Sequence, residues 1–193
     1  MSTTQPIRDL EELSKLKNYY YETEPNLRNF AMISLGINTA LRISDLLQLQ
    51  WEDVYDFDNQ EFRHHVVVIE HKTGKENRIA LNQSAQEALN IYKMSLGEIQ
   101  KTQFLFCGRN RKTAPLSRSQ AYRIIRHASE ALHLEDSISC HSMRKTFGYH
   151  AWKYGTPPVV LMDIFNHSSY EITKRYLGIG QDDKDSVFLE VNL

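Results

Sequence analysis

The sequence has few cysteines, no long apolar run and no excess of positive charge. Its 193 residues include only two cysteines, Cys107 and Cys140, which lie far apart and offer no disulfide framework, so a cytoplasmic protein is expected. No apolar run is long enough to span a bilayer and no secretory signal opens the chain, so no membrane partner is expected. The length suits one large domain or two small ones and is sufficient to bury a core.

The formal net charge of −1 is unfavourable for a nucleic-acid-binding protein, whose affinity rests on lysines and arginines that neutralise phosphates. A DNA-binding protein of this composition must gather its cations on one face. The stretch from residue 109 to residue 127 contains no acidic residue, whereas a solvated helix face normally mixes both signs. The sequence therefore predicts a phosphate-facing surface made by Arg109, Arg111, Lys112, Arg118, Arg123 and Arg126.

A metal-binding pattern is also lacking. His64 and His65 are adjacent on a predicted strand, where neighbouring side chains point to opposite faces, and no other cluster has metal-ligand spacing. The sequence therefore predicts neither a metal site nor a cofactor.

Apolar residues at helical spacing predict helices over most of the chain, with Asp9, Asn26 and Ser117 as N-caps. The segment Gly36–Thr39 is expected to interrupt the helix that Asn26 begins. Helices are also predicted to carry His141 and Tyr176.

Strands are predicted in one internal region and at the terminus. Between Val54 and Leu81, β-branched and aromatic residues are separated by turn residues, which predicts a three-stranded antiparallel meander. Apolar and polar residues alternate from residue 185 to residue 193, which predicts a terminal strand. The expected fold class is α+β: mainly α, with a small antiparallel three-stranded β-sheet.

The last third of the chain holds the side chains needed to attack a phosphodiester. His141 and Arg144 are three residues apart and share a helix face. His167 follows Asn166, a residue that tolerates the left-handed backbone of a turn, and Tyr176 lies on the next helix. An arginine can clamp phosphate oxygens, and a histidine can take the proton of a tyrosine whose unperturbed pKa is ~10.

Two residues earlier in the chain complement this set. Arg42 lies at or just before a helix start, with Asp45 close enough to pair with it, although Arg42 alone does not exclude an ordinary surface arginine. Lys72 lies at a hairpin tip, from which it can donate a proton to a leaving oxygen, and Lys75 is the alternative lysine in the same turn.

In this order and spacing the motifs resemble those of the tyrosine recombinases, the phage integrases and their relatives, from about Asn26 to Leu177. The segment Thr39–Leu47 resembles the first arginine box, and the HSMR sequence at residues 141–144 resembles the second. Asn166 to Ser169, followed by Tyr176, resembles the final histidine and nucleophile of the family, and HKTG at residues 71–74 resembles its hairpin lysine.

The resemblance implies a site-specific recombinase or integrase, associated with mobile elements, that cleaves and rejoins DNA without metal or ATP. Arg42 and Arg144 would bind the scissile phosphate, and Tyr176 would attack it to give a 3′-phosphotyrosyl link. Lys72 would protonate the 5′ oxygen. His141 would assist proton transfer with the tyrosine, and His167 would hydrogen-bond the phosphate. The alternatives are type IB topoisomerase-like relaxation of DNA and a non-cleaving DNA-binding relative.

The chain departs from the family pattern at three points. Asn166 stands where glycine is usual, and Asp45 replaces the commoner glutamate. The third is that the N-terminal domain that closes the clamp around DNA is not recognisable. Either this is an excised catalytic domain, or the chain resembles short members such as the fimbrial-switch invertases. Residues 1–25 are expected to lead into a catalytic domain at residues 26–177, followed by a tail at residues 178–193.

The resemblance also implies partners: double-stranded DNA, a homotetramer assembled on it, and accessory DNA-bending proteins. Family members lend a C-terminal segment to the neighbouring protomer, so the tail is expected either to pack in trans or to close the sheet of its own chain.

Overall fold

The computed structural model describes residues 4–72, 74–108, 111–134 and 136–191, and these residues are mainly helical. The helices are α1 (Leu10–Asn18), α2 (Leu27–Thr39), α3 (Ile43–Leu46), α4 (Trp51–Val54), α5 (Gln83–Leu96), α6 (Arg118–Ala131), α7 (Cys140–Lys153), α8 (Pro158–Phe165), α9 (Tyr170–Leu177) and α10 (Gln181–Glu190). A π-helical turn, Tyr19–Thr23, follows α1. The strands are β1 (Tyr55–Asp56), β2 (Glu61–Phe62), β3 (His65–Ile69), β4 (Glu76–Ala80), β5 (Cys107–Gly108) and β6 (Arg111–Pro115).

The predicted N-caps are confirmed. The Asp9 carboxylate accepts hydrogen bonds from two backbone N–H groups of the first turn of α1. The Asn26 side chain accepts one at the start of α2, and the Ser117 hydroxyl accepts one from the N–H of Gln120 in α6. Each cap satisfies a donor that has no partner within its helix, and so fixes where the helix begins.

The predicted three-stranded meander is wrong, because a bend divides it into two hairpins. β1 pairs with β2 and β3 pairs with β4, both antiparallel, and no pairing joins β2 to β3 in the described part of the chain. The Arg63 N–H donates to the Val54 carbonyl, which extends the first hairpin. The carbonyl of His64 accepts from the Leu81 N–H, which extends the second. Two successive residues therefore serve different hairpins. A third hairpin, β5–β6, lies later in the chain.

The predicted interruption at Gly36–Thr39 is also wrong, since α2 continues to Thr39. Gly36 lies where α2 approaches α7, and a Cβ atom there would be 2.6 Å from the Sδ atom of Met143. The glycine therefore serves close helix packing. The helix ends at Ala40, whose φ of 54° and ψ of 17° turn the chain immediately before Arg42.

The terminal strand predicted for residues 185–193 is wrong over its described part. Residues 181–190 form α10, and residues 192 and 193 lie outside the described residues. The N–H of Gly180 donates to the Asp183 carboxylate at the start of the helix, and Lys153 on α7 bonds the same carboxylate. The alternating apolar residues have no partner strand, and Leu189 is 83% exposed.

Buried apolar residues form two clusters of very different size. The larger cluster, called here the main core, joins α1 to α6, the first two hairpins and Met143 of α7. The smaller one, called here the small cluster, lies between α7, α8 and α9. Its buried members are Ala40, Leu161, Phe165 and Leu177, and Tyr176 packs against them while partly exposed.

Candidate active site

A cleft of about 1150 Å³ opens between the β3–β4 turn, α3, α6 and the start of α7. Five of the residues predicted to act on DNA line it: Arg42, Lys72, Arg118, Arg123 and His141. Lys75, the alternative to Lys72, is not among the described residues that line the cleft.

Arg42 is the N-cap residue of α3, directly after the turn at Ala40. Its Nη1 atom lies 2.6 Å from the Glu70 carboxylate, and its Nη2 atom donates to the carbonyl of Phe165 at 3.3 Å. The predicted pairing with Asp45 is therefore wrong. Asp45 instead accepts a hydrogen bond from the backbone N–H of His71 at 3.1 Å, which occupies the shorter acid with the hairpin.

Arg144 lies on α7 and is 3% exposed. Its guanidinium donates to the carbonyls of Ala40 and Phe165, the latter at 2.9 Å. The two arginines thus share one acceptor at the end of α8. Burial lowers the pKa of Arg144, with the nearby Arg42 charge adding to the effect. Paired cations with few anionic neighbours form a site that favours an anionic ligand.

Tyr176 lies against three aromatic rings. Its ring centroid is 5.0 Å from that of His167, 5.1 Å from Phe165 and 6.2 Å from His141. Burial raises the pKa of the Tyr176 hydroxyl, and the charges of Arg144 and Arg42 oppose that rise. The hydroxyl is consequently protonated at neutral pH and needs a base before it can attack.

His167 is held by turn geometry and by one side-chain contact. Asn166 caps α8 in the predicted left-handed conformation, with φ 50° and ψ 44°, and the N–H of His167 bonds the Met162 carbonyl. The Nδ1 atom of His167 lies 2.9 Å from the Thr173 hydroxyl. Burial lowers the pKa of His167 to about 4, with further lowering by the cationic side chains of the site.

His141 opens onto the cleft from the first turn of α7. Burial lowers its pKa below the ordinary value, and Lys145 is the largest of the neighbouring cations that add to this effect. Both histidines are therefore neutral at neutral pH. A neutral imidazole can accept a proton, which a protonated one cannot do.

The predicted cationic surface is only partly brought to the cleft. Arg118 and Arg123 line it from α6. Arg126 forms an ion pair with Glu130, 2.5 Å away on the same helix, which offsets its charge. Arg109 lies outside the described residues, and for Arg111 and Lys112 only the backbone, in β6, is described.

Sequence reasoning missed three residues that position the site: Glu70, Phe165 and Thr173. Glu70 could have been found from the alternation of β3. Val66 and Val68 face the core while Val67 and Ile69 are exposed, so Glu70 continues the buried face. A carboxylate there requires a partner. The carbonyl of Phe165 carries no such pattern, because any residue offers one.

No group of three or more histidine, cysteine or acidic side chains among the described residues is arranged to hold a metal ion. In the same part of the chain, no helix has both the length and the apolar character needed to cross a membrane.

Comparison with known proteins gives consistent matches. The sequence profile described as the phage integrase family matches residues 8–181. The probable integrase/recombinase YoeC of Bacillus subtilis is 41% identical over 183 residues, which cover 94% of this chain and 93% of that protein. Tyrosine recombinase XerD of Corynebacterium glutamicum is 29% identical over 166 residues, and these cover 83% of this chain but only 51% of XerD.

Solved structures show the same fold. The XerA recombinase superposes with a TM-score of 0.78 at 19% identity, covering 100% of this chain and 66% of XerA. The XerH recombinase bound to its palindromic difH substrate superposes with a TM-score of 0.76 at 18% identity, covering 98% and 54%. The resemblance inferred from five short motifs is thereby confirmed, and the chain belongs to the phage integrase family, the tyrosine recombinases.

Proposed function

We propose that this chain cleaves and rejoins DNA strands at specific sites through a 3′-phosphotyrosyl intermediate. One observation carries the proposal: the Tyr176 ring is packed against His167, beside two arginines that share the Phe165 carbonyl. A protein that only bound DNA would not need a tyrosine in this position. We assign the chemistry to residues 26–177, with residues 1–25 leading into the domain and residues 178–193 as a tail.

In the proposed step, Arg42 and Arg144 bind the nonbridging oxygens of the scissile phosphate and offset the charge that develops there. The Tyr176 oxygen forms a bond to phosphorus while the bond from phosphorus to the 5′ oxygen breaks. His141 accepts the tyrosine proton and Lys72 donates a proton to the 5′ oxygen. His167 hydrogen-bonds the phosphate. Because the phosphotyrosyl link conserves the energy of the broken bond, the reverse step can join a new strand.

The proposed substrate is double-stranded DNA, bound by a cytoplasmic protein. The cleft is wide, and Arg118 and Arg123 of α6 and Lys72 of the hairpin line it. Such clustering compensates for a formal net charge of −1, because only the local charge meets the phosphates.

A nicked DNA substrate that traps covalent complexes tests the function. Wild type should accumulate protein–DNA adducts, and Tyr176→Phe should form none, because a phenyl ring has no nucleophilic oxygen. Tyr170→Phe is the matched control, since Tyr170 lies on the same helix and is 44% exposed. Failure of wild type to form adducts would contradict the proposal. Relaxation of supercoils without recombinant product would identify a topoisomerase-like activity instead.

The role of Lys72 is tested with the same substrate carrying a 5′-thiol leaving group. A thiolate leaves without protonation, so Lys72→Ala should cleave the ordinary substrate slowly and the thiol substrate at nearly the wild-type rate. Lys75→Ala is the control, and it should cleave both substrates normally. Thiol rescue of Lys75→Ala alone would transfer the role to that residue.

We further propose that the tail packs in trans within a homotetramer on DNA, with accessory DNA-bending proteins as further partners. Three consecutive apolar residues of α10 support trans packing: Val187, Phe188 and Leu189 are 58%, 80% and 83% exposed. Isolated exposed apolar residues are ordinary, but an adjacent group suggests an unfilled contact. Tyr154, Val159 and Val160 are exposed on the same chain and offer apolar surface for a neighbour's tail.

Analytical ultracentrifugation of protein–DNA complexes tests the tail. Phe188→Glu should shift tetrameric complexes toward smaller ones, because a carboxylate would be buried in the contact. Lys184→Gln, on the same helix, should not. Tetramers that persist in Phe188→Glu would favour packing of the tail on its own chain.

A further inference from the structure

Glu70 is a buried acid that the proposed chemistry does not yet use. It is 1% exposed and follows Val66 and Val68 on the core-facing side of the hairpin. An unpaired buried carboxylate would be strongly unfavourable, and removing one partner of a buried ion pair is costly. The Arg42 guanidinium, 2.6 Å away, supplies the opposite charge.

The backbone of Glu70 also closes the loop that carries Lys72. Its N–H donates to the Lys75 carbonyl at 2.9 Å, and its carbonyl accepts from the Gly74 N–H at 2.8 Å. One residue therefore forms the base of the Lys72 loop through its backbone and contacts the phosphate-binding arginine through its side chain. Asp45 cannot substitute for it, since its Oδ1 atom accepts from the next residue of the loop, His71.

We infer that Glu70 is a positioning residue for strand cleavage: it orients Arg42 and fixes the Lys72 loop relative to that arginine. The inference rests on the proposed function. An arginine side chain has many rotamers, and a phosphate clamp works only when its donors are held in the productive geometry. The ion pair on Nη1 restricts those rotamers. It also couples the residue that binds the phosphate to the loop that supplies the leaving-group proton.

This role makes DNA binding and cleavage respond in opposite directions when the charge is removed. Glu70→Gln keeps the size of the side chain but takes a negative charge away from a cationic cleft, so DNA affinity should be unchanged or tighter. Cleavage at saturating DNA should slow by about 10- to 100-fold, the scale of loss that follows misplacement of a catalytic group by about 1 Å. A merely unfolded protein would lose affinity as well.

The experiment compares Glu70→Gln with Glu76→Gln, which removes an exposed carboxylate from the other strand of the same hairpin. Single-turnover adduct formation on the nicked substrate gives the cleavage rate, and affinity is measured in the Tyr176→Phe background. Glu70→Asp, which keeps the charge but shortens the side chain, should cleave at a rate between wild type and Glu70→Gln. Equal cleavage by Glu70→Gln and Glu76→Gln would overturn the inference.

Two further measurements separate this inference from the proposed function. In an Arg42→Lys background, Glu70→Gln should add little further loss, because its effect acts through Arg42; fully additive losses would overturn the inference. Without DNA, the NMR resonance of the Arg42 side-chain Nε–H should move in Glu70→Gln and stay in place in Glu76→Gln. An unmoved resonance overturns the inference whether or not the chain cleaves. Absence of adducts in wild type overturns only the proposed function.

Discussion

The two halves of the candidate site are supported by very different amounts of apolar packing. Arg42 and Glu70 are adjacent to residues of the main core, including Ile43 and Val68. Tyr176 instead rests on the small cluster, which has four fully buried members. Since apolar burial stabilises by roughly 25 cal/mol per Å², the small cluster should open at lower free energy than the main core. The phosphate-binding half is thus rigid, and the nucleophile half can move separately.

The two halves are joined mainly by polar contacts through α7. Arg144 bonds carbonyls on both sides, at Ala40 and Phe165. The N-terminal segment adds a second link: the Ile7 N–H donates to the Thr146 hydroxyl, and the Arg8 guanidinium donates to the Gly178 carbonyl just beyond α9. Hydrogen bonds of this kind contribute about 0.5–1.5 kcal/mol each, so the nucleophile segment depends on a few directional contacts.

Matched glycine substitutions on the two sides test this difference, with the largest expected effect. A Cβ atom at Gly148 would lie 2.5 Å from the Phe165 ring and 2.7 Å from a Leu177 methyl group. Gly148→Ala should therefore overpack the small cluster by about 1–3 kcal/mol, displace Tyr176 and reduce single-turnover cleavage by about 100-fold. Thermal unfolding of the main core should change little.

Gly36→Ala is the counterpart in the main core. Its Cβ atom would meet the flexible end of Met143, which can adopt another rotamer, and alanine favours a helix over glycine by about 1 kcal/mol. Cleavage should therefore stay close to wild type. If Gly36→Ala impairs cleavage as much as Gly148→Ala does, the two halves are not mechanically separate.

The same contrast explains what the sequence could predict. The groups around Tyr176 were found because local chemistry places them: the turn at Asn166 presents His167, and helical spacing aligns His141 with Arg144. The partner of Arg42 was predicted wrongly because sequence proximity favoured Asp45, while the tertiary fold brings Glu70 closer. The roles assigned to these residues stay predictions until the substitutions are measured.

The strand errors have a related cause. Composition predicted extended chain between Val54 and Leu81 correctly, but pairing depends on a bend at Arg63 and His64 that no turn residue announces. Alternation in the tail predicted a strand, yet a strand requires a neighbour, and capping at Gly180 favours a helix instead. Local pattern therefore fixes element type best where tertiary pairing is not needed.

Titration of His167 provides the finer test of the small cluster. Its depressed pKa of about 4 means that the folded state holds a neutral imidazole, whereas the unfolded state binds a proton below the ordinary value of 6.5. The stabilisation is complete above pH 6.5 and is lost as pH falls from 6.5 toward about 4. Amide hydrogen exchange around Phe165 and Leu177 should therefore accelerate, relative to exchange in the main core, over that interval.

DNA should reverse this shift, with an effect smaller than that of either glycine substitution on cleavage. A phosphate between Arg42 and Arg144 would offset the cationic charge that helps to lower the pKa of His167, while the contribution of burial would remain. NMR titration of the His167 ring in the Tyr176→Phe protein should give a pKa near 4 without DNA and a higher one with DNA bound. A pKa that does not change on DNA binding would place the phosphate away from the arginine pair, and would separate the nucleophile from the clamp more than the fold implies.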